Sequence, residues 1–173
     1  MGTTPILAIP YVDPAAKPAA YPAADKAKAD RLEAVLTGTG AAFGWARQTN
    51  AQSVPNGVLT TLTGLTLDTS STGVTLSGTS LRCPTAGLYL ITAAVTFTHN
   101  PTNGRALFIR RGGTVVLRVV SAVGDNTTGT AAGSLVLPCA AGDLIDVGAY
   151  QSSGAALSTD PNSNGCSFQL ARL

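Results

Sequence analysis

The run Gly87-Leu88-Tyr89-Leu90-Ile91-Thr92-Ala93-Ala94-Val95-Thr96-Phe97-Thr98 constrains the fold more than any other part of the chain. Tyr89, Ile91, Ala93, Val95 and Phe97 recur at every second position, the period of a strand with one buried face. Shorter runs of the same kind lie on either side. Leu62–Leu67 and Val74–Ser77 precede it; Ala106–Arg110, Thr114–Val120, Gly133–Leu137, Leu144–Tyr150 and Cys166–Leu173 follow. Asn103-Gly104, Gly112-Gly113, Gly124-Asp125-Asn126 and Gly142-Asp143 supply turns between them. Strands at this spacing, with no helical period between them, predict an all-β, antiparallel jelly-roll sandwich over residues 41–173. Its expected core is Tyr89, Ile91, Val95, Phe97, Leu135, Leu137, Leu144, Phe168 and Leu170.

Residues 1–40 have a different character. Prolines at 5, 10, 14, 18 and 22 exclude helix and favour an extended strap. Ile6, Leu7, Ile9, Tyr11, Val12 and Tyr21 lie between them, where a flexible linker would carry Gly and Ser. A short α-helix follows, opened by Pro22 and Asp25 and stopped by Gly38. Leu32, Val35 and Leu36 share one face with alanines, and Lys26, Lys28, Asp30 and Glu33 cover the rest. Such a helix needs a partner surface. The segment reads as an attachment arm whose contacts are Ile6, Leu7, Ile9, Tyr11, Val12, Tyr21, Leu32, Val35 and Leu36.

Composition removes several classes of function. The net charge is +2 and only 12 % of residues are charged, against the dense basic stripe of a nucleic-acid binder. No apolar run reaches the roughly 20 residues of a membrane span, and the N-terminus lacks the pattern of a signal peptide or a myristoylation site. Three cysteines without a CxxC spacing and a single histidine, His99, give no disulfide framework and no metal centre, so no cofactor is expected. His99 lies in a turn with no neighbouring carboxylate in sequence to orient it, so the chain is not expected to be an enzyme. Gly124-Asp125-Asn126 and Asp160-Pro161-Asn162-Ser163-Asn164 lack the acidic spacing of a calcium loop and read as turns.

Three motifs point to a family. Cys83-Pro84-Thr85-Ala86-Gly87-Leu88-Tyr89-Leu90-Ile91 resembles the P-x-x-G-x-Y-x-[F/I] strand of the complement C-one-q and tumour-necrosis-factor superfamily. Leu135-Val136-Leu137-Pro138-Cys139-Ala140-Ala141-Gly142-Asp143-Leu144-Ile145 resembles its L-x-L-x-x-G-D-x-[V/I] element. Ser167-Phe168-Gln169-Leu170-Ala171-Arg172-Leu173 is similar to its closing strand, with Gln169 where Gly is usual. The resemblance implies a ten-stranded jelly roll that assembles as a homotrimer about the sheet holding the first, last and longest strands. On the outer face of that sheet it places Thr92, Ala94, Ser167, Gln169 and Leu173 as the trimer interface. It also implies that Cys83 and Cys139 share one end of the sheet, a candidate disulfide, while Cys166 at the other end stays unpaired.

The arm resembles the proline-punctuated N-termini of short tailed-phage proteins that seat a β domain on a capsid or tail. Together the resemblances imply a non-enzymatic virion structural protein, a trimeric capsid decoration or short fibre on the particle surface, assembled in the host cytoplasm. Its arm would bind a major capsid or tail protein. The alternatives are a receptor- or glycan-binding head of a tail fibre and, more remotely, a secreted signalling ligand. The short stalk favours decoration.

Overall fold

Thirteen strands run through residues 42–122, 129–162 and 165–173, the residues that the computed structural model describes. The arm and helix expected in residues 1–40 and the turn at Gly124-Asp125-Asn126 lie outside them. In chain order the strands are β1 (Phe43–Gln48), β2 (Ser53–Val54), β3 (Thr60–Thr61), β4 (Leu65–Leu67), β5 (Thr75–Ser77), β6 (Ser80–Arg82) and β7 (Gly87–Thr96). They continue as β8 (Gly104–Arg111), β9 (Thr114–Ala122), β10 (Thr130–Cys139), β11 (Leu144–Gln151), β12 (Leu157–Ser158) and β13 (Cys166–Arg172). Ten of them form two facing layers, β10-β7-β13-β1-β4 and β5-β6-β11-β8-β9. Short β3 pairs with β11, and β12 with β2. All the pairings are antiparallel, and the result is a jelly-roll sandwich.

The long strand β7 organises its layer by pairing with β10 on one side and β13 on the other. Ile91 lies opposite both Leu135 and Leu170, and Leu170 lies opposite Gly44, so one row of inward side chains crosses four strands. Tyr89, Ile91, Ala93, Val95 and Phe97 are all buried, as the alternation requires. The facing layer meets them with Leu81, Leu107, Ile109, Ile145, Val147 and Ala149. The β8–β9 hairpin turns on Gly112 and Gly113 at φ 54° and 83°, the two left-handed residues of a type I′ turn.

Two expectations about the core need correction. Leu144 is 37 % exposed; the inward residues of β11 are Ile145, Val147 and Ala149. Apolar residues adjoin here, and a one-residue offset exchanges the two faces of a strand. Leu135 and Leu137 are only half-buried, because β10 is an edge of its layer. Truncating Leu137 should therefore cost less than the roughly 2–5 kcal/mol of a fully buried leucine.

The run Leu62–Leu67 is not one strand. Its neighbours Thr60–Thr61 join one layer and Leu65–Leu67 the other, with Leu62 fully buried between them and Gly64 turning at φ 64°. Polar groups hold this crossing loop. Thr159 Oγ1 donates to Gln48 Oε1 (2.7 Å), Gln48 Nε2 to Thr63 O (3.0 Å) and Gln52 Nε2 to Thr61 O (2.9 Å).

Strand β1 is a further addition, because its inward positions, Gly44, Ala46 and Gln48, carry no apolar alternation. Packing accounts for Gly44. A methyl group there would stand 2.7 Å from Val74 Cβ, an atom that no rotamer change can move away. Gly44→Ala should lower stability by about 1–3 kcal/mol through overpacking, read as an earlier midpoint in urea with unchanged slope.

Candidate assembly face on the outer side of the first sheet

Residues that alternate with the core on β10, β7, β13 and β1 point away from it and form one continuous surface. Register puts Leu90 opposite Val136 and Ala171, and Ala171 opposite Phe43, which makes an apolar row four strands wide. Beside it Leu88 lies opposite Pro138, and the Leu173 amide donates to Leu88 O at 2.9 Å. Leu88, Leu90, Val136 and Leu173 are 50 %, 38 %, 53 % and 69 % exposed. Further along, the rows turn polar: Ser134, Thr92, Gln169 and Trp45, then Ala132, Ala94, Ser167 and Arg47.

The Trp45 end is fixed by local contacts. The Trp45 amide donates to Ser71 Oγ (3.1 Å), and the Arg47 guanidinium lies 4.8 Å over the indole ring. Arg47 Nη2 also pairs with Asp68 Oδ2 at 2.5 Å. Hydrogen bonds from the amide and hydroxyl of Ser70, with Arg47 as a lesser cause, hold the Asp68 carboxyl below the usual range. The indole Nε1 is buried without a hydrogen-bond partner.

Thr92, Ala94, Ser167, Gln169 and Leu173, the residues that the family resemblance singles out, all lie on this surface. Thr92, Ala94, Ser167 and Gln169 occupy its polar rows, whereas the apolar row of Leu88, Leu90, Val136, Ala171 and Phe43 was not anticipated. A signal for it exists in the sequence: Leu88 and Leu90 alternate with Tyr89 and Ile91, so this end of β7 is apolar on both faces. The arm residues Ile6, Leu7, Ile9, Tyr11, Val12, Tyr21, Leu32, Val35 and Leu36 lie outside the described residues.

The opposite layer has a different outer face. Arg110 Nη2 pairs with Asp146 Oδ1 (2.5 Å) and donates to Thr61 Oγ1 (2.6 Å). Phe108 meets Tyr150 edge-on at 6.5 Å and lies 5.5 Å under the Arg118 guanidinium. These groups satisfy one another. Val115 and Val120, opposite Arg110 and Ala106, remain exposed on this outer face, while Leu117 and Val119 fold over Gly133 to close the sandwich between the edge strands β9 and β10.

Cys83, Cys139 and Cys166 are buried free thiols. Cys83 and Cys139 are neighbours, and the Cys139 thiol donates to Leu137 O at 3.8 Å. Burial first, and the neighbouring Cys139 second, push the Cys83 thiol up to about 12. Burial also raises Cys139 and Cys166. His99 is an exposed loop residue. Asp160 Oδ1 accepts the Asn162 amide at 3.0 Å, the turn chemistry expected of that stretch. Among the described residues no three His, Cys, Asp or Glu side chains converge as metal ligands.

No family model matches the chain. A 117-residue stretch is 32 % identical to uncharacterized protein L688 of Acanthamoeba polyphaga mimivirus, covering 62 % of this chain and 50 % of that protein. The match thus spans half the length of the viral relative. Among solved structures, murine APRIL at pH 5.0 superposes with a TM-score of 0.62 at 17 % identity, over 77 % of this chain and 99 % of its own. The Eiger TNF of S. frugiperda gives a TM-score of 0.62 at 11 % identity, over 77 % and 92 %. The described domain has the tumour-necrosis-factor-like jelly-roll fold.

Proposed function

We propose that this chain is a non-enzymatic viral structural protein whose jelly-roll domain trimerises through the outer face of the β10-β7-β13-β1-β4 sheet and is displayed on the particle surface. The observation that carries the reading is the exposed row of Leu88, Leu90, Val136 and Leu173. Contiguous apolar surface on a soluble domain marks a site of association. The apolar rows of this face and the exposed Val115 and Val120 on the outer face of β9 lie on different sides of one subunit, which suits a heterologous contact that closes into a ring when the rotation permits. Three copies follow the resemblance to the tumour-necrosis-factor superfamily, and the mimivirus relative supports a viral setting. The face presents aliphatic carbon, which binds by excluding water and carries no reactive group.

Multi-angle light scattering on the full chain should give three times the protomer mass of 17.4 kDa at micromolar concentration. A monomer there would defeat the assembly reading. The role on the particle rests on residues 1–40, whose apolar side chains would seat the trimer on a capsid or tail protein. Protein lacking residues 1–37 should fold yet fail to occupy particles that lack it. Full occupancy by the truncated form would assign attachment to the jelly roll instead.

A further inference from the structure

We infer that Cys83 and Cys139 are a disulfide site that staples the two layers of the sandwich together, formed with a small-molecule disulfide as oxidant. Cys83 directly follows β6 in one layer, and Cys139 is the last residue of β10 in the other. Backbone bonds hold the two segments together: the Cys83 amide donates to Asp143 O (2.9 Å), and the Gly142 amide donates to Cys83 O (2.8 Å). These bonds clamp Cys83 to the turn that leaves Cys139. That turn is itself fixed by the Ala140 amide on Asp143 Oδ2 (2.9 Å) and by Gly142 at φ 88°. The same bonds bring Cys83 beside the end of β10, so Cys83 and Cys139 are neighbours across the two layers.

Cys166 is excluded by distance. It lies opposite Val95 on β7, whereas Cys139 lies opposite Gly87. Eight residues of strand separate those positions, about 26 Å at the rise of an extended chain. Its thiol donates instead to Thr96 O at 3.3 Å and Asp160 O at 3.5 Å.

Two exchanges make the bond. Cys139 is the less buried of the pair, so it attacks first. It displaces one thiolate from the oxidant and leaves a mixed disulfide on Cys139. The Cys83 thiolate then attacks the Cys139 sulfur and expels the second small thiolate. The protein loses two electrons and two protons, and the oxidant departs as two thiols. Burial and the high thiol pKa of Cys83 make both steps slow in the closed fold. The bond therefore forms as the chain folds or opens, and once buried it resists reduction.

The test refolds the full-length chain and its Cys166→Ala variant from denaturant in a glutathione redox buffer. Free thiols are then alkylated and the peptides mapped by mass spectrometry. A Cys83–Cys139 cross-linked peptide is expected in both proteins, with the melting temperature raised on the order of 10 °C over the reduced form. Recovery of Cys83 and Cys139 alkylated in the refolded protein overturns the inference. So does a cross-link that takes Cys166, or an oxidised form that melts no higher than the reduced one.

Discussion

Leu90→Asp should convert the proposed trimer into folded monomers at micromolar concentration, with the far-ultraviolet spectrum and the unfolding slope of the isolated domain unchanged. Leu90 stands in the middle of the apolar row, flanked by Val136 on β10 and Ala171 on β13, and its side chain points away from the core. The substitution therefore spares core packing. In the assembly the new carboxylate has to be desolvated against apolar carbon, at a cost of several kcal/mol per copy. A penalty of about 3 kcal/mol weakens each contact roughly 100-fold, and the proposed ring would contain the contact three times. Sedimentation velocity reads the change directly. Thr92→Ala, on the adjoining polar row, should leave the assembly nearly intact. A trimer that persists in Leu90→Asp would remove this face from the interface and leave Val115 and Val120 on the outer face of β9 as the place to look.

The largest effect on stability is expected at Arg105. This arginine is the second residue of β8, is wholly buried, and lies 5.7 Å over the Phe97 ring. Its guanidinium donates to backbone carbonyls: Nη1 to Thr102 O (3.0 Å) and Gly104 O (3.2 Å), Nη2 to Asn100 O (2.9 Å). The Nε group is buried without a partner. Burial draws its pKa down from the ordinary arginine value, though an arginine stays charged across the physiological range. A cation fixed by carbonyl dipoles is holding the β7–β8 loop closed over Phe97.

Arg105→Met keeps the apolar stem but leaves those carbonyls without donors, at about 1–3 kcal/mol for each that water cannot reach. Relief from burying a charge offsets part of this, so a net loss of about 2–4 kcal/mol is expected. It should appear in urea unfolding together with faster hydrogen exchange in residues 99–104. Arg105→Lys should recover little, because a compact ammonium cannot span three carbonyls as the planar fork does. Wild-type stability in Arg105→Met would show that desolvation of the guanidinium cancels its hydrogen bonds.

What sequence alone determined here is local. The parity of β7 was legible because Tyr89, Ile91, Ala93, Val95 and Phe97 recur at every second position while Thr92, Ala94 and Thr96 between them need no burial, and Phe168 and Leu170 repeat that rule in β13. Gly112-Gly113 marked a hairpin because two consecutive left-handed residues admit few sequences. The three motif stretches identified the family of folds before any pairing was known.

Tertiary structure decided the rest wherever the deciding neighbour lies far along the chain. In β11, Leu144 and Ile145 are equally apolar, and only pairing with β8 and β6 turns Ile145 inward. In β1, Gly44 looks unlike a strand residue, and its reason is Val74, the residue just before β5. Arg105 reads as a surface residue until the Asn100–Gly104 carbonyls close around it. The assembly face is likewise a product of pairing. Leu90, Val136, Ala171 and Phe43 come from four strands spread over most of the domain, and each alone is an ordinary exposed or half-buried side chain. Only antiparallel register sets them side by side, because strand pairing joins residues by position in the sheet and not by distance along the chain.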